Sequence, residues 1–296
     1  RKHCRKRNRR ACRTYQMTEA FKSSSTADTG RYAVIGNPIA HSKSPRIHAM
    51  FAQSVGQEID YTTRLGPLGA FAADLETFRS GGGVGANVTV PFKQDAFALA
   101  TEASLRATQA GAANFLMWRG DHWYCDNTDG AGLVRDIETN QQVSLRGKRV
   151  LLLGAGGASR GVIGPLLLRE PRALVVVNRT ASRAVELVAA YSATYPVSAK
   201  TAESLLADGD EFDVVINATS SSLSDDLPLP EDAKIFAPNA LAYDMMYGAK
   251  PTRFMSWAKA QGASRTSDGL GMLVEQAAES YVQWKGVLPP AAPVIA

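Results

Sequence analysis

The residue best placed for proton chemistry is a lysine, set in Asn87-Val88-Thr89-Val90-Pro91-Phe92-Lys93. Pro91 suits the opening of a helix, so Lys93 is expected in a first helical turn. There the helix dipole opposes a fixed cation, which helps an amine release and recover a proton near neutral pH. Three further polar segments occupy the same half of the chain: His41-Ser42-Lys43-Ser44-Pro45, Asn114 after Gly111-Ala112-Ala113, and Asp126-Asn127-Thr128-Asp129-Gly130. Each has a structural reading as well. Ser44 suits a helix N-cap, Asp126 an Asx turn, and Asn114 a hydrogen-bonder at a strand end. The sequence leaves both readings open. His41, His48 and Cys125 fit no catalytic constellation and are read as structural.

A second chemical signal lies further on. The apolar stretch Arg149–Leu153 leads into Gly154-Ala155-Gly156-Gly157-Ala158-Ser159 and then a helical pattern. Glycines between a strand and a helix permit a tight turn and let backbone N–H groups approach a pyrophosphate at the helix N-terminus. Ser159 stands where a third glycine is usual. The bland alternative is a tight turn without a ligand. The next strand ends in Asn178-Arg179-Thr180, followed by Arg183. A carboxylate at that strand end would hold a ribose 2′-hydroxyl; none is present, and two guanidiniums are available to clamp a 2′-phosphate. The bland reading of both arginines is a solvated helix start, but a cation in the first turn opposes the dipole. NADP is therefore the dinucleotide expected.

The segments Gly36–Pro45, Gly85–Lys93, Asp126–Gly130, Gly154–Arg160, Asn178–Arg183, Asn217–Ser221 and Asp268–Gln276 together resemble the bacterial shikimate dehydrogenase family. They follow the family order over residues 31–290. The resemblance implies reversible NADPH-dependent reduction of 3-dehydroshikimate to shikimate, on the route to chorismate and the aromatic amino acids. By matching positions, it implies Lys93 as acid/base with Asp129 as its carboxylate partner. It implies Ser42, Ser44 and Tyr247 on the substrate carboxylate, and Thr89, Asn114 and Gln276 on the ring hydroxyls. For the cofactor it implicates Gly154, Ala155, Gly156, Gly157 and Ala158, with Asn178, Arg179, Thr180 and Arg183. Met245 and Gly269 are implied at the nicotinamide end. A small polyol acid offers little apolar surface, so paired hydrogen bonds must carry its recognition. Leu105, Phe115 and Ser222 depart from common family residues. A relative with broader quinate or NAD use, and a non-catalytic sensor of such acids, are the competing readings. The acid-free cofactor loop opposes the first; retention of both Lys93 and Asp129 opposes the second.

The elements that must position these residues alternate in type. Tyr32–Gly36, Ile59–Arg64 and Ala86–Val90 read as strands. Helices are expected at Ser44–Gly56, Leu68–Phe78 and Pro91–Ala100, and a hairpin pairs Asn114–Trp118 with His122–Cys125. The second half repeats strand and helix: Arg149–Leu153, Leu174–Asn178 and Val214–Asn217, then a strand near Leu241–Met245. Helices are expected at Ser182–Tyr191, Pro251–Gln261 and Gly271–Trp284. Such alternation implies mostly parallel sheets. The expected architecture is α/β with two lobes and a cleft between them. Residues 31–130 and the C-terminal helix within 268–296 form the substrate domain; 131–267 form a Rossmann-type NADP-binding domain. The final helix must return to the first lobe for Gln276 to reach the substrate.

Composition narrows the alternatives. Hydrophobic residues make up 45% and charged ones 21%, an ordinary globular balance. The net charge of +5 comes from the first sixteen residues, which hold eight Lys or Arg and no acid; without them 25 basic residues face 28 acidic ones, a net of −3. That distribution speaks against a nucleic-acid partner. Residues 1–30 are expected to be a disordered basic leader, with Met17 the preferred natural start. No apolar stretch approaches the length of a membrane span. Only Cys125 lies outside the leader, so neither a disulfide framework nor a metal cluster is expected, and the cytoplasm fits best. Oligomeric state stays open, since the resembling family includes monomers and homodimers.

Overall fold

The computed structural model describes residues 30–219 and 226–296; the basic leader with Met17, and Ser220–Ser222, lie outside the described residues. Two six-stranded sheets organise the chain. The first contains β1 (Arg31–Gly36), β2 (Asp60–Leu65), β3 (Gly83–Val88), β4 (Glu102–Ala103), β5 (Phe115–Arg119) and β6 (His122–Asp126), ordered β2-β1-β3-β5-β6-β4. β1 runs parallel to β2 and β3, and β4 to β6, whereas β5 is antiparallel to β3 and β6. The antiparallel step has a purpose: the C-terminal end of β3 and the N-terminal start of β5 fall at the same sheet edge. Val88 and Asn114 meet there, the Val88 N–H donating to the Asn114 carbonyl at 2.9 Å.

The second sheet contains β7 (Arg149–Leu153), β8 (Ala173–Val177), β9 (Val197–Lys200), β10 (Phe212–Asn217), β11 (Phe236–Asp244) and β12 (Arg265–Ser267), all parallel. Read from β9 the order is β9-β8-β7-β10-β11-β12, the doubly wound arrangement of a dinucleotide-binding fold. Continuous apolar runs such as Val150–Leu153 are explained by burial on both faces. Val150, Leu152, Val176 and Ile216 pack into one core; Leu151, Leu153, Val175 and Val215 pack into another on the opposite face.

Several boundaries differ from the sequence expectation. Helix α1 is Ser44–Ser54; its N-cap is Lys43, without a side-chain cap bond, so Ser44 is not the cap but the first helical residue. Helix α2 (Phe71–Ser80) starts three residues later than expected. Helix α3 (Lys93–Leu99) starts at Lys93 rather than Pro91, because Thr89 to Phe92 form a turn closed by the Phe92 N–H on the Thr89 carbonyl. Strand β3 begins inside the glycine run. Side chains are excluded there by neighbouring rings: a Cβ on Gly83 would lie 2.5 Å from Phe78, and one on Gly85 would lie 2.5 Å from Trp284.

Short elements escaped the periodicity reading. Helix α4 (Leu105–Ala110) has Ser104 as an N-cap accepting from the Ala107 N–H. Helix α5 (Asp129–Arg135) continues into a π-helical turn at Asp136–Asn140. The remaining helices are α6 (Gly157–Leu167), α7 (Ala181–Ala189), α8 (Ala202–Ala207), α9 (Arg253–Ala260), α10 (Leu270–Lys285) and α11 (Ala292–Ile295).

Two helices join the lobes. α10 sends Met272 into the core of the second lobe, while Val274 and Tyr281 pack with Ile47 and Phe51 of α1. The Trp284 indole N–H reaches the Leu116 carbonyl of β5 at 3.1 Å. The return of the last helix to the first lobe is thus observed. Helix α5 crosses α10 at close range, since a Cβ on Gly132 would lie 2.6 Å from the Gln276 nitrogen.

Candidate active site

The sheet edge where β3 ends and β5 begins gathers most of the polar residues singled out in the sequence. Lys93 opens α3 and Asp129 opens α5; the ammonium donates to Asp129 Oδ2 at 2.6 Å. The lysine side chain is 31% exposed and the carboxylate 13%, so the pair is shielded yet open on one side. Asn114 Nδ2 donates to the other carboxylate oxygen, Asp129 Oδ1, at 2.8 Å, and lies 3.1 Å from Gln276 Oε1. Asn114 Oδ1 accepts the Thr128 N–H at 2.7 Å. Asp129 is held in turn by its own N–H on Asn127 Oδ1 at 3.2 Å. The Lys93 carbonyl accepts from the Ala113 N–H at 2.8 Å. Four segments distant in sequence therefore converge on one ammonium–carboxylate pair.

Buried polar groups are normally satisfied, and here nearly all are. Asn87 is 6% exposed and saturated with partners. Its Oδ1 accepts from the Tyr61 hydroxyl at 2.8 Å and faces His48 Nε2 at 3.2 Å; its Nδ2 donates to Ser280 Oγ at 2.9 Å and to the Asn114 carbonyl at 3.2 Å. His48 is stacked on Tyr61 with ring centroids 4.2 Å apart. Burial pulls its pKa from 6.5 to about 3, the Asn87 bond opposing weakly, so the ring is neutral. Its structural role agrees with the sequence reading. Cys125 is buried too, and burial pushes its thiol up to about 11.

Ser42 precedes helix α1 and Ser44 opens it. The Ser44 N–H donates to Ser42 Oγ at 3.3 Å, and Ser44 is buried. Between them Lys43 places its ammonium 5.2 Å from the ring centroid of Tyr247, a residue of the second lobe. Tyr247 is 37% exposed, and partial burial raises its phenol pKa. Thr89 is partly buried at the end of β3, its N–H on the Ile35 carbonyl at 2.9 Å and its methyl against Gly36. Ser42, Ser44, Thr89, Lys93, Asn114, Asp129 and Gln276 thus belong to the edge of the first sheet, with Tyr247 facing it across the cleft.

The glycine loop lies at the switch point where β7 neighbours both β8 and β10. Gly154 has φ +109°, which a side chain rarely adopts, and it packs on Ala218 and Thr219 beyond β10. Cβ atoms on Gly156 or Gly157 would meet nothing within 4 Å, so the first turn of α6 faces open space. No side chain caps that helix: Gly156 is the N-cap. Asn178 supports the loop, its Oδ1 accepting the Ala155 N–H at 3.2 Å and its Nδ2 donating to the Thr180 carbonyl at 2.8 Å. Arg179 and Arg183 are exposed, and among the described residues neither has an ion-pair partner. An uncapped helix start, an open glycine cradle and two free guanidiniums fit the pyrophosphate and 2′-phosphate of NADP. Met245 and Gly269 come together, since a Cβ on Gly269 would lie 2.2 Å from the Met245 carbonyl oxygen. The two halves of the site adjoin through α5: Asn127 packs against Gly161 of α6, and a Cβ on Gly130 would lie 2.5 Å from the Gly161 carbonyl.

Tyr61, Asn87, Thr128 and Ser280 were not assigned from sequence, whereas His48 was read as structural. Asn87 and Thr128 sit inside quoted strings and were within reach. Tyr61 lies in Asp60-Tyr61-Thr62-Thr63-Arg64-Leu65, where nothing distinguishes it from a packing residue.

Comparison with known proteins gives a consistent picture. A model of the shikimate dehydrogenase substrate binding domain matches residues 34–116, one of shikimate / quinate 5-dehydrogenase matches 137–224, and one of the shikimate 5'-dehydrogenase C-terminal domain matches 269–296. The shikimate dehydrogenase (NADP(+)) of Dechloromonas aromatica is 55% identical over 270 residues, 90% of this chain and 96% of its own. That of Alcanivorax borkumensis is 51% identical, covering 91% and 96%. Among solved structures, an Ael1 enzyme from Pseudomonas putida superposes with a TM-score of 0.85 at 47% identity, covering 90% and 97%. Shikimate 5-dehydrogenase from Thermus thermophilus, in complex with NADP(H) and shikimate, superposes with a TM-score of 0.79 at 31% identity, covering 90% and 97%.

Proposed function

The chain belongs to the shikimate dehydrogenase family, and from that premise we propose how its own residues carry out the reversible NADPH-dependent reduction of 3-dehydroshikimate to shikimate. The observation that carries the reading is the 2.6 Å contact of Lys93 with Asp129, set among Asn114, Gln276 and Thr128. An ammonium with one face open to the cleft is a proton donor to the oxygen of a carbonyl undergoing reduction. In the reverse direction the amine accepts the proton of the alcohol. Asp129 keeps the Lys93 side chain in place. NADPH, when bound, supplies the hydride. Gly154–Ala158 would receive its pyrophosphate, Asn178, Arg179, Thr180 and Arg183 its adenosine end, and Met245 with Gly269 its nicotinamide end.

Ser42, Ser44 and Tyr247 would take the substrate carboxylate, and Thr89, Asn114 and Gln276 the ring hydroxyls. The proximity of Lys43 to Tyr247 supports a carboxylate pocket that bridges the lobes, and the shared contacts of Asn114 and Gln276 support a common hydroxyl pocket. On this reading residues 31–130 with the C-terminal helix bind the acid, and residues 131–267 bind the dinucleotide. The cytoplasm is the compartment proposed, since the one cysteine among the described residues is free and buried; no helix among those residues is long and apolar enough to cross a membrane.

Initial rates followed by NADPH absorbance test the assignment. Shikimate with NADP is expected to be the fastest pair; quinate oxidised with NAD at an equal or higher rate overturns it. A flat trace with 3-dehydroshikimate at high protein concentration leaves only a binding role.

A further inference from the structure

A second buried carboxylate, apart from the Lys93–Asp129 pair, stands where α5 and α10 meet. Asp136 opens the π-helical turn that follows α5 and is fully buried. Its Oδ2 accepts from the Tyr243 hydroxyl at 2.6 Å, and its Oδ1 accepts from Asn140 Nδ2 at 2.8 Å. The Tyr243 oxygen accepts the Met272 N–H at 3.3 Å in turn, so this buried phenol is both donor and acceptor. The first turn of α10 lies directly on the carboxylate: a Cβ on Gly271 would overlap both Asp136 oxygens. The dipole favours a carboxylate at a helix start, and the Met272 N–H is one of those a helix leaves without an internal partner. Asn140 Nδ2 also donates to Glu275 Oε1 at 2.9 Å, which ties the π-helical turn to the next turn of the same helix.

We propose that Asp136 and Tyr243 are positioning residues for the nicotinamide end of the dinucleotide, acting through the start of α10. Tyr243 is the penultimate residue of β11, and Met245 follows the end of that strand. Gly269 is the N-cap of α10, and its N–H donates to the Met246 carbonyl at 2.9 Å. Strand end and helix start are thus joined twice, by that backbone bond and by the phenol that holds the Met272 N–H. Further along α10, Gln276 is held separately by Asn114 and Thr128. One helix therefore carries a cofactor contact at its start and a substrate contact beyond it, and the Asp136–Tyr243 pair fixes the first relative to the second. What the pair supplies is alignment of hydride donor and acceptor. This gives a purpose to a polar pair beside Leu133, Ile137 and Val214, in a core that hydrocarbon side chains would fill without desolvating a carboxylate.

The inference rests on the reading of Met245 and Gly269 as the nicotinamide contacts, and the test keeps the two apart. Calorimetric titration of the whole chain measures affinity for NADP and for ADP-ribose 2′-phosphate, the same molecule without its nicotinamide. Steady-state kinetics give kcat and the shikimate KM. The variants are Tyr243→Phe, Asp136→Ala, Asp136→Asn and Gly269→Ala. In Tyr243→Phe the NADP affinity is expected to fall about five-fold, the worth of one neutral hydrogen bond, with the fragment affinity within about two-fold. Its kcat should fall about ten-fold or more and the shikimate KM stay within about two-fold, because misalignment acts on the reaction more than on binding. Asp136→Ala should behave alike, whereas Asp136→Asn, whose amide oxygen still accepts from Tyr243, should recover most of the loss. Fragment affinity lost in step with NADP affinity, or equal kcat losses in the Asn and Ala variants, assigns the pair to the fold alone and overturns the inference. Gly269→Ala forces a methyl onto the Met245 carbonyl and should weaken NADP but not the fragment. If it does so while Tyr243→Phe leaves the ratio of the two affinities unchanged, only the inference falls. An unchanged ratio in Gly269→Ala removes the nicotinamide reading itself, and the inference with it.

Discussion

At the scale of single residues, proton transfer and its electrostatic support are separable. Lys93→Ala deletes the ammonium but leaves Ser42, Ser44, Asn114 and Gln276 in place. Acid–base groups of this kind contribute about a hundred- to ten-thousand-fold. The expected outcome is a kcat loss of that size with a much smaller change in shikimate affinity, read by kinetics and by calorimetric titration. Near-normal turnover would remove Lys93 from the mechanism. The cofactor residues permit an equally local test. Replacing Arg179 and Arg183 together by alanine should raise the NADP KM by roughly ten-fold or more while leaving the NADP-independent binding of shikimate unaltered, because two charge-assisted contacts to a phosphate are lost. The NAD KM should hardly move, since NAD offers no 2′-phosphate. Equal losses for both dinucleotides would place the arginines elsewhere than the 2′-position. Lys93 and the two arginines were legible from residue type and local run, whereas Asp129 entered only through the family resemblance. Tyr61 and Ser280 were not legible, because their significance comes from contacts across 26 to 193 positions of chain.

Secondary-structure elements decide how close these groups can come. The interlobe crossing depends on a glycine in α5, where a Cβ at Gly132 would stand 2.6 Å from the Gln276 nitrogen and 2.8 Å from the Met272 carbonyl oxygen. Backbone cannot yield as a flexible side chain can, so Gly132→Ala must push α5 from α10. Overpacking of this kind costs about 1–3 kcal/mol, to be read from urea unfolding. Displacement of Gln276 should also raise the shikimate KM more than the NADP KM. Unchanged stability and unchanged KM would mean that the crossing has slack. Helix α5 itself was not anticipated. Asp126–Gly130 reads as a turn, and seven residues give too short a period to override that signal. The shifted start of α3 has a different cause: the Thr89–Phe92 turn satisfies the backbone locally before the helix begins, which places Lys93 rather than Pro91 at its first position.

For the whole molecule, buried polar groups tie folding to pH. His48 titrates at about 3 in the folded chain against an ordinary value of 6.5, because burial disfavours its charged form. The unfolded chain therefore takes up a proton first on acidification. The stability at stake is fully present above about pH 6.5 and is lost as pH falls towards 3, about 5 kcal/mol in total. Burial also pushes the Asp126 carboxyl upward, but hydrogen bonds from Arg106, Ser104 and Gln283 outweigh it and hold the group below its ordinary 3.8. Its contribution is present above about pH 3.8 and is lost as pH falls below that value. Melting temperatures should begin to fall near pH 6.5, and His48→Gln should remove the first part of that slope. A wild-type profile flat down to about pH 4 would contradict the neutral buried ring. Arg106 joins Asp126 to Glu279 of α10, and Arg135 of α5 reaches the same glutamate at 2.7 Å, so acid should loosen the contact between lobes as well as the fold.

The sequence by itself determined the chemistry on offer and the two-lobed α/β plan. A strand, a glycine loop and a helix are neighbours in the chain, and local spacing suffices to specify them; the same holds for Lys93 in its first helical turn and for the acid-free end of β8. Only the tertiary structure decided which groups share a proton or a hydroxyl. Lys93 meets Asp129 across 36 positions, and Asn87 meets Ser280 across 193. Such contacts depend on an antiparallel strand that returns Asn114 to the edge beside Val88, and on glycines small enough to let α5 and α10 touch. Neither condition leaves a periodic trace along the chain, because each is a property of two surfaces in contact rather than of either segment alone.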